Sequence, residues 1–474
     1  MLRGELHRYR AGEKLPSSRA LVERFGVGPG TVARALATLA AEGLVVTRPG
    51  AGAYRAQHSA AATSAVDTSW QEIALTAEQQ QHGEPAPRIV DAAGVTANLA
   101  VPPPGVIAFN GGYLHPSLQP EHALGAAFAR AARRPGTWQR PPLEGLTALR
   151  AWFAREVGGP GGGLTPAHVL VTAGGQAALT TALHALAAPG SPVLVESPTY
   201  PGALAVARAA GLRPVPVPMD DGGVRLDLLA DAFAATGARA LYCQPLFHNP
   251  TGTVLAPDRR RRLVELAHAA GAFVIEDDCA RRLGHGGQLP PPLVADDPYG
   301  TVVHVSSLTK PTSPNLRVGA LLARGPVVER LRAIQVVDSF FVPRPLQESV
   351  LDLVGAPAWP RHLRTIAAGL RDRRDAMLAA LRRELPDLAA ALRAPAGGNY
   401  LWLRLPGGAD ETALAAACLR AGVAVSPGRT YFAAEAPGPY LRLGFADTAG
   451  TDEITEGVRR IATACTEAGL ATGA

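Results

Sequence analysis

From about residue 105 onward the chain alternates two hydrophobic patterns. Short β-branched and apolar runs fall at 168–172, 192–196, 240–243, 273–276 and 302–306. Between them lie stretches rich in Ala, Leu and Arg, such as 176–188 and 257–270, with the composition and spacing of helices. Strand–helix alternation of this kind predicts an α/β sheet that is largely parallel, binding its ligands outside the carboxyl ends of the strands. From about 345 the pattern fits a smaller α+β domain with strands at 400–405 and 440–444. The start of the chain reads differently. Leu21, Phe25, Val32, Leu36 and Leu39 recur at helical spacing, interrupted by the turn FGVGPG and followed by the turn-rich tail RPGAGAY. That is helix, turn, helix and a small wing. Residues 59–104, rich in Ala, Thr, Ser, Gln and Pro, predict a linker with one helix near 70–81. The expected divisions are 1–58, 59–104, 105–344 and 345–474.

Charge changes the picture of the first segment. Residues 1–58 hold nine Lys/Arg and four acids, so 9 − 4 = +5 of the chain's net +6 sits there. A small basic module on a near-neutral body suggests a polyanionic partner, although a solvated basic terminus has the same charge. The four cysteines, Cys243, Cys279, Cys418 and Cys465, have no CxxC spacing, which argues against a disulfide framework or a zinc site. No apolar run reaches the roughly 18 residues that span a bilayer, and the N-terminus has no apolar h-region. A cytoplasmic location and no membrane partner are the expectations. One count stands out. Of 46 Lys+Arg only Lys14 and Lys310 are lysine. Lysine resists replacement by arginine where chemistry needs a primary amine that can lose its proton, as in Schiff-base formation.

The candidate chemistry sits at the expected strand ends. VTAGGQAAL (171–179) is a strand, a small-residue turn and a helix start, which suits a phosphate. ESPTYPG (196–202) offers Tyr200 to stack on a planar ring. HNPTG (248–252) presents Asn249 rigidly. EDD (276–278) admits a metal reading, yet no His has ligand spacing in sequence. A buried Asp opposite a ring nitrogen is the better physical reading, because it keeps a pyridinium protonated. SSLTK (306–310) supplies Lys310 as the Schiff-base amine, with Ser307 and Arg317 for a phosphate. YLRLGFA (440–446) offers the planar guanidinium of Arg442 to a carboxylate.

In this order the motifs make residues 105–470 resemble a fold-type-I aminotransferase dependent on pyridoxal 5'-phosphate (PLP), of the aspartate-aminotransferase superfamily. The resemblance implies that Lys310 forms the internal aldimine and Asp277 pairs with the pyridine nitrogen. It implies Asn249 at the ring hydroxyl, Tyr200 on the ring, and Gly174, Gly175, Gln176, Ser307 and Arg317 on the phosphate. Arg442 takes a substrate carboxylate, and a homodimer is expected. Two departures appear. Cys279 and Ala280 stand where the family has a tyrosine shortly after the paired aspartates. Arg140 stands where a tyrosine normally reaches the partner's phosphate.

Residues 15–54 resemble the winged helix of GntR-type repressors, through LPSSR, the GV turn, TVARAL, LAAEGL and the GAG wing. Ser18, Arg19, Thr31, Arg34 and Arg48 are the implied DNA contacts, with the second helix, 31–42, in the major groove. Gly28-Pro29 replaces the family's usual Ser-Arg, and the first helix is short. Winged helix plus aminotransferase domain resembles the MocR/GabR regulators. Three readings follow: a PLP-dependent regulator sensing an amine or amino acid through aldimine formation at Lys310, a working PLP enzyme with a vestigial winged helix, and a PLP-binding scaffold.

Overall fold

The computed structural model describes residues 2–42, 44–48, 50–56, 89–159 and 163–470. The helix expected near 70–81 lies outside the described residues. The chain divides into two compact units, 1–82 and 83–474.

In the first unit, α1 (Leu2–Glu5) and a short 3-10 turn precede α2 (Ser18–Phe25), α3 (Pro29–Ala41) and a hairpin of β1 (Val45–Arg48) and β2 (Gly52–Arg55). Ser17 caps α2 by accepting from the Ala20 N–H at 3.2 Å. Gly26 ends α2 in the left-handed conformation (φ 62°), which favours glycine. Gly28 and Pro29 open α3 two residues before the expected start, with proline at a position where its missing N–H costs nothing. Leu2, Leu6, Leu21, Val32, Leu36 and Leu39 close one core against Val45 and Ala53 of the hairpin. The apolar spacing read from the sequence is thus the buried face of this unit.

The second unit opens with α4 (Ala93–Leu99) and β3 (Ile107–Ala108). Its main sheet has eight strands: β4 (Val169–Thr172), β5 (Pro192–Ser197), β6 (Arg213–Asp220), β7 (Gly223–Val224), β8 (Ala240–Cys243), β9 (Phe273–Asp277), β10 (Val302–Ser307) and β11 (Gly319–Leu322). Their order is β4-β11-β10-β9-β8-β5-β6-β7. The run from β10 to β6 is parallel, and β11 lies antiparallel to both its neighbours. One apolar core packs on each face of this sheet. A third core surrounds β12 (Tyr400–Arg404), β13 (Val423–Ala424), β14 (Ser426–Pro427) and β15 (Tyr440–Gly444). No helix among the described residues is long and apolar enough to cross a membrane.

Three expectations change. The span 59–104 is not all linker: α4 is helical, and the Ile89 N–H donates to Arg208 O of the second unit. The boundary at 345 falls inside the large core, because Val350, Leu353 and Val354 of helix Arg344–Val354 pack with the main sheet. Conversely Ile107, Phe109, Leu114 and Leu118 belong to the small core, and β3 pairs with β13. The strand β6 was not expected. Its sequence RPVPVPMD carries three prolines, which lack the ladder N–H, and apart from its last two residues its outer side has no strand partner among the described residues.

Candidate cofactor site

The segments that follow β4, β5, β8, β9 and β10 meet in one pocket with residues of the small domain. Gly175, Gln176, Tyr200, Asn249, Asp277, Ser307, Lys310, Arg317 and Arg442 all line it. Gly174 stands at its edge, as the residue before helix α5 (Gly175–Leu186).

The α5 end is shaped for an anion. Helix geometry leaves its first N–H groups without intrahelical acceptors, under the positive end of the helix dipole. Gly174 holds φ +85°, and a Cβ there would lie 2.9 Å from Arg317 Nη2. Glycine thus lets the Arg317 guanidinium close over the turn. Arg317 Nη1 also donates to Thr309 Oγ1 at 3.5 Å, and the Thr309 N–H donates to Ser307 Oγ at 3.2 Å. The Gln176 side chain is turned elsewhere: it accepts from Tyr200 OH at 3.1 Å and donates to Gly202 O at 3.2 Å.

Asp277 ends β9 between two parallel neighbours. Tyr242 OH (2.7 Å) and Gln244 Nε2 (3.2 Å) donate to its Oδ2, and the Cys279 N–H donates to Oδ1 at 3.2 Å. Gln244 also accepts from the Asn249 N–H at 3.2 Å, so one side chain ties Asn249 to Asp277. Burial, then the Asp277 charge, pushes the Tyr242 phenol well above its usual pKa, so it stays a donor. The same causes, in the same order, push up the Cys279 thiol. Lys310 Nζ donates to Gly112 O at 2.7 Å and lies 4.4 Å from the Tyr113 ring centre.

Arg442 on β15 is 2% exposed and stacks 4.1 Å from the Tyr400 ring centre. Its Nη2 donates to Asn110 O, Gly111 O (3.4 Å), Ser426 Oγ (3.3 Å) and Asn98 Oδ1 (3.4 Å), and Nη1 to Asn249 Oδ1 (3.5 Å). Among the described residues its Nε has no hydrogen-bond partner and no carboxylate forms an ion pair with the guanidinium. A buried cation without a counter-ion among the described residues is a suitable seat for a ligand carboxylate.

Tyr242, Gln244, Asn98, Asn399 and Tyr400 were missed from the sequence. Strand register would have found one of them. Tyr242 pairs with Ile275, which is two residues from Asp277 and so on the same face. The opposite face of β9 holds Glu276 and Asp278, and register places His304 beside Glu276 at 2.8 Å. The fold therefore supplies the histidine that sequence spacing lacked. Yet Glu276 already accepts from the Leu293 (2.7 Å) and Val294 (3.2 Å) N–H groups, and Asp278 pairs with Arg281. Burial raises both carboxyls. His304 and the Leu293 amide outweigh it at Glu276, whose pKa is net lowered, while Asp278 stays raised. An ion network describes this cluster better than a metal site, with Asp278 Oδ1 the one oxygen of the two carboxylates that lacks a hydrogen-bond partner among the described residues.

Arg140 is exposed and does not line this pocket. In the first unit Ser18, Arg19, Thr31, Arg34 and Arg48 are all exposed, on α2, α3 and β1. Lys14 packs on the hairpin, its Nζ 5.9 Å from the Tyr54 ring centre.

A primary amine, a hydrogen-bonded carboxylate and a guanidinium over a helix N-terminus are the groups that hold a PLP amine linkage, pyridinium and phosphate, so the residues fit that cofactor. Residues 110–461 match the model of aminotransferase class I and II, and residues 3–54 match that of bacterial regulatory proteins of the gntR family. The chain is 34% identical over 363 residues to 2-aminoadipate transaminase of Thermus thermophilus, covering 76% of this chain and 89% of that protein. It is 30% identical over 440 residues to the HTH-type transcriptional regulator YisV of Bacillus subtilis, covering 91% and 87%. The crystal structure of LysN, an α-aminoadipate aminotransferase from Thermus thermophilus complexed with N-(5'-phosphopyridoxyl)-L-leucine, superposes with TM-score 0.73 at 33% identity, covering 80% of this chain and 96% of that one. The chain belongs to the aminotransferase class I and II family, with PLP as the cofactor of that domain. Its gntR-type DNA-binding domain makes the whole a regulator of MocR-type layout.

Proposed function

We propose that this chain is a PLP-dependent transcription regulator that senses an amine or amino acid at Lys310. The observation that carries this reading is one pocket gathering Lys310, Asp277, Arg317 and Arg442, in a chain whose other unit presents exposed Arg19, Arg34 and Arg48. When bound, PLP supplies an aldehyde for amines and an electron-withdrawing ring. The protein's part is positioning. Lys310 offers the amine, Asp277 the acceptor for the ring nitrogen, and Asn249 a partner for the ring hydroxyl. Tyr200 stacks on the ring. The Gly174–Gln176 turn, Ser307 and Arg317 hold the phosphate, and Arg442 the ligand carboxylate. α3 reads an operator in the major groove, with Ser18, Arg19, Thr31, Arg34 and Arg48 at DNA. The protein acts as a homodimer in the cytoplasm, where its DNA is.

Two measurements test this. DNA binding by the intact protein in a gel shift falls steeply with salt and is weakened by Arg34→Ala. A salt-independent signal, or none, refutes the DNA half. Purified protein shows a cofactor absorbance band that shifts on amine titration and is lost in Lys310→Ala. Absence of the band in wild type refutes the cofactor half.

A second reading is an active aminotransferase with a vestigial DNA reader. The identity to a transaminase and the assembled Lys310, Asp277 and Arg442 set favour it. Against it, Cys279 and Ala280 stand in the family tyrosine's place, and the Tyr242 hydroxyl is committed to Asp277. Rapid mixing with a panel of amino acids separates the two: release of the corresponding keto acid supports the enzyme, and a stalled spectral change supports the sensor.

A further inference from the structure

Helix α4 lies outside both family-matched segments, 3–54 and 110–461, yet it forms one wall of the pocket through Val95, Asn98 and Leu99. Asn98 is engaged through both its amide nitrogen and its amide oxygen. Its Nδ2 donates to Tyr431 OH at 2.9 Å, and its Oδ1 accepts from Ser426 Oγ at 2.7 Å and Arg442 Nη2 at 3.4 Å. It therefore holds the guanidinium through a neutral acceptor and leaves the full positive charge for a ligand carboxylate. Val95 and Leu99 contribute no polar group, and Leu99 is 55% exposed on the wall. Phe247, Leu283 and Tyr113 extend the apolar lining.

Among the described residues that line the pocket only Lys310, Arg317 and Arg442 are cations. Resting on the reading above, these are used by the ligand amine, the phosphate and the α-carboxylate. Within one chain, a second carboxylate on the ligand would meet the apolar side chains of this wall and the Asp277 charge, with no further lining cation of the same chain to pair it. An apolar side chain would instead cover Leu99 and its neighbours. We propose that α4 sets the specificity of this site, and that the ligand is an α-amino monocarboxylic acid with an apolar side chain. Val95 and Leu99 contact that side chain, and Asn98 is a positioning residue for Arg442.

The test uses the full chain loaded with PLP and two carboxylates that lack the amine and so need no reaction at Lys310. Calorimetry is expected to show 4-methylpentanoate binding about tenfold or more tighter than glutarate. Leu99→Arg, at an exposed position that tolerates charge, shifts that preference toward glutarate by about tenfold. Asn98→Asp neutralises Arg442: 4-methylpentanoate weakens by about tenfold while the absorbance titration with 3-methylbutylamine, which has no carboxylate, is unchanged. Glutarate binding as tightly as 4-methylpentanoate, no binding of either, or an unresponsive Leu99→Arg overturns the proposed specificity. Equal weakening of acid and amine in Asn98→Asp overturns the role of Asn98. If 4-methylpentanoate is preferred as stated but L-leucine leaves the cofactor absorbance unmoved, the specificity stands and the reading of Lys310 as the sensing residue fails.

Discussion

The two faces of strand β9 carry acids of opposite kinds. On one face Asp277 borders a cavity with Lys310 and Arg442 across from it. On the other, Glu276 and Asp278 are buried with His304 and Arg281, and the Glu276 oxygens are filled by protein donors. In sequence EDD is three adjacent acids, of which the resemblance singles out Asp277. The fold splits the three, because successive side chains on a strand point to opposite faces. The lesson is that density of charge does not mark a site. Remaining room does: of the three acids it is Asp277 that lines the pocket, while Asp278 keeps a partnerless Oδ1 away from it.

Substitutions on the two faces should therefore read out differently. The largest effect is expected behind the sheet. Glu276→Ala leaves His304 and two buried N–H groups unpaired and should lower unfolding free energy by about 3–5 kcal/mol, measured by denaturant unfolding. A change below about 1 kcal/mol would mean that this face is not a structural network. Asp277→Asn should act mainly on the cofactor, weakening PLP by roughly 10- to 100-fold, the worth of about 1.5–3 kcal/mol for a hydrogen bond to a charged group. Fluorescence titration with PLP measures it. Tyr242→Phe removes one donor to Asp277 and should cost about 1 kcal/mol, near fivefold in PLP affinity. An effect on stability equal to that of Glu276→Ala would erase the distinction between the faces.

The smallest effect concerns Asp447, whose Oδ2 would lie 2.6 Å from a Cβ on Gly111, next to the Gly112 carbonyl that receives Lys310. Burial, helped by Glu453, raises its carboxyl from 3.8 to about 6. Between about pH 4 and pH 6 the folded chain then binds more protons than the unfolded one, so its contribution falls as pH rises through that window and is gone above it. Allowing for partial exposure, the change is about 1 kcal/mol. Asp447→Asn should flatten the stability profile between pH 4 and 6, and an unchanged profile would count against it.

Much of the site could be read in advance because its residues sit in local motifs. GGQ, HNPTG, SSLTK and the isolated lysine each mark a strand end or a chemical need that a short window contains. Asn98 could not be read. Helix α4 has the sequence AGVTANL, no side-chain cap and no buried residue, so nothing local announces a helix. Its place comes from contacts more than 300 residues away in sequence, at Ser426, Tyr431 and Arg442. Tyr242 and His304 were invisible for a related reason: each becomes relevant only once strand neighbours are known.

By itself the sequence determined the two-unit plan, the basic character of the first unit, the chemistry of Lys310 and the run of motifs around it. These depend on composition and on spacing within a few turns or one strand. The tertiary structure alone decided that Glu276 and Asp278 join His304 and Arg281 behind the sheet, that β11 runs antiparallel, and that part of the apparent linker forms a wall of the pocket. Those outcomes depend on pairing between distant segments, whose register a linear pattern does not carry.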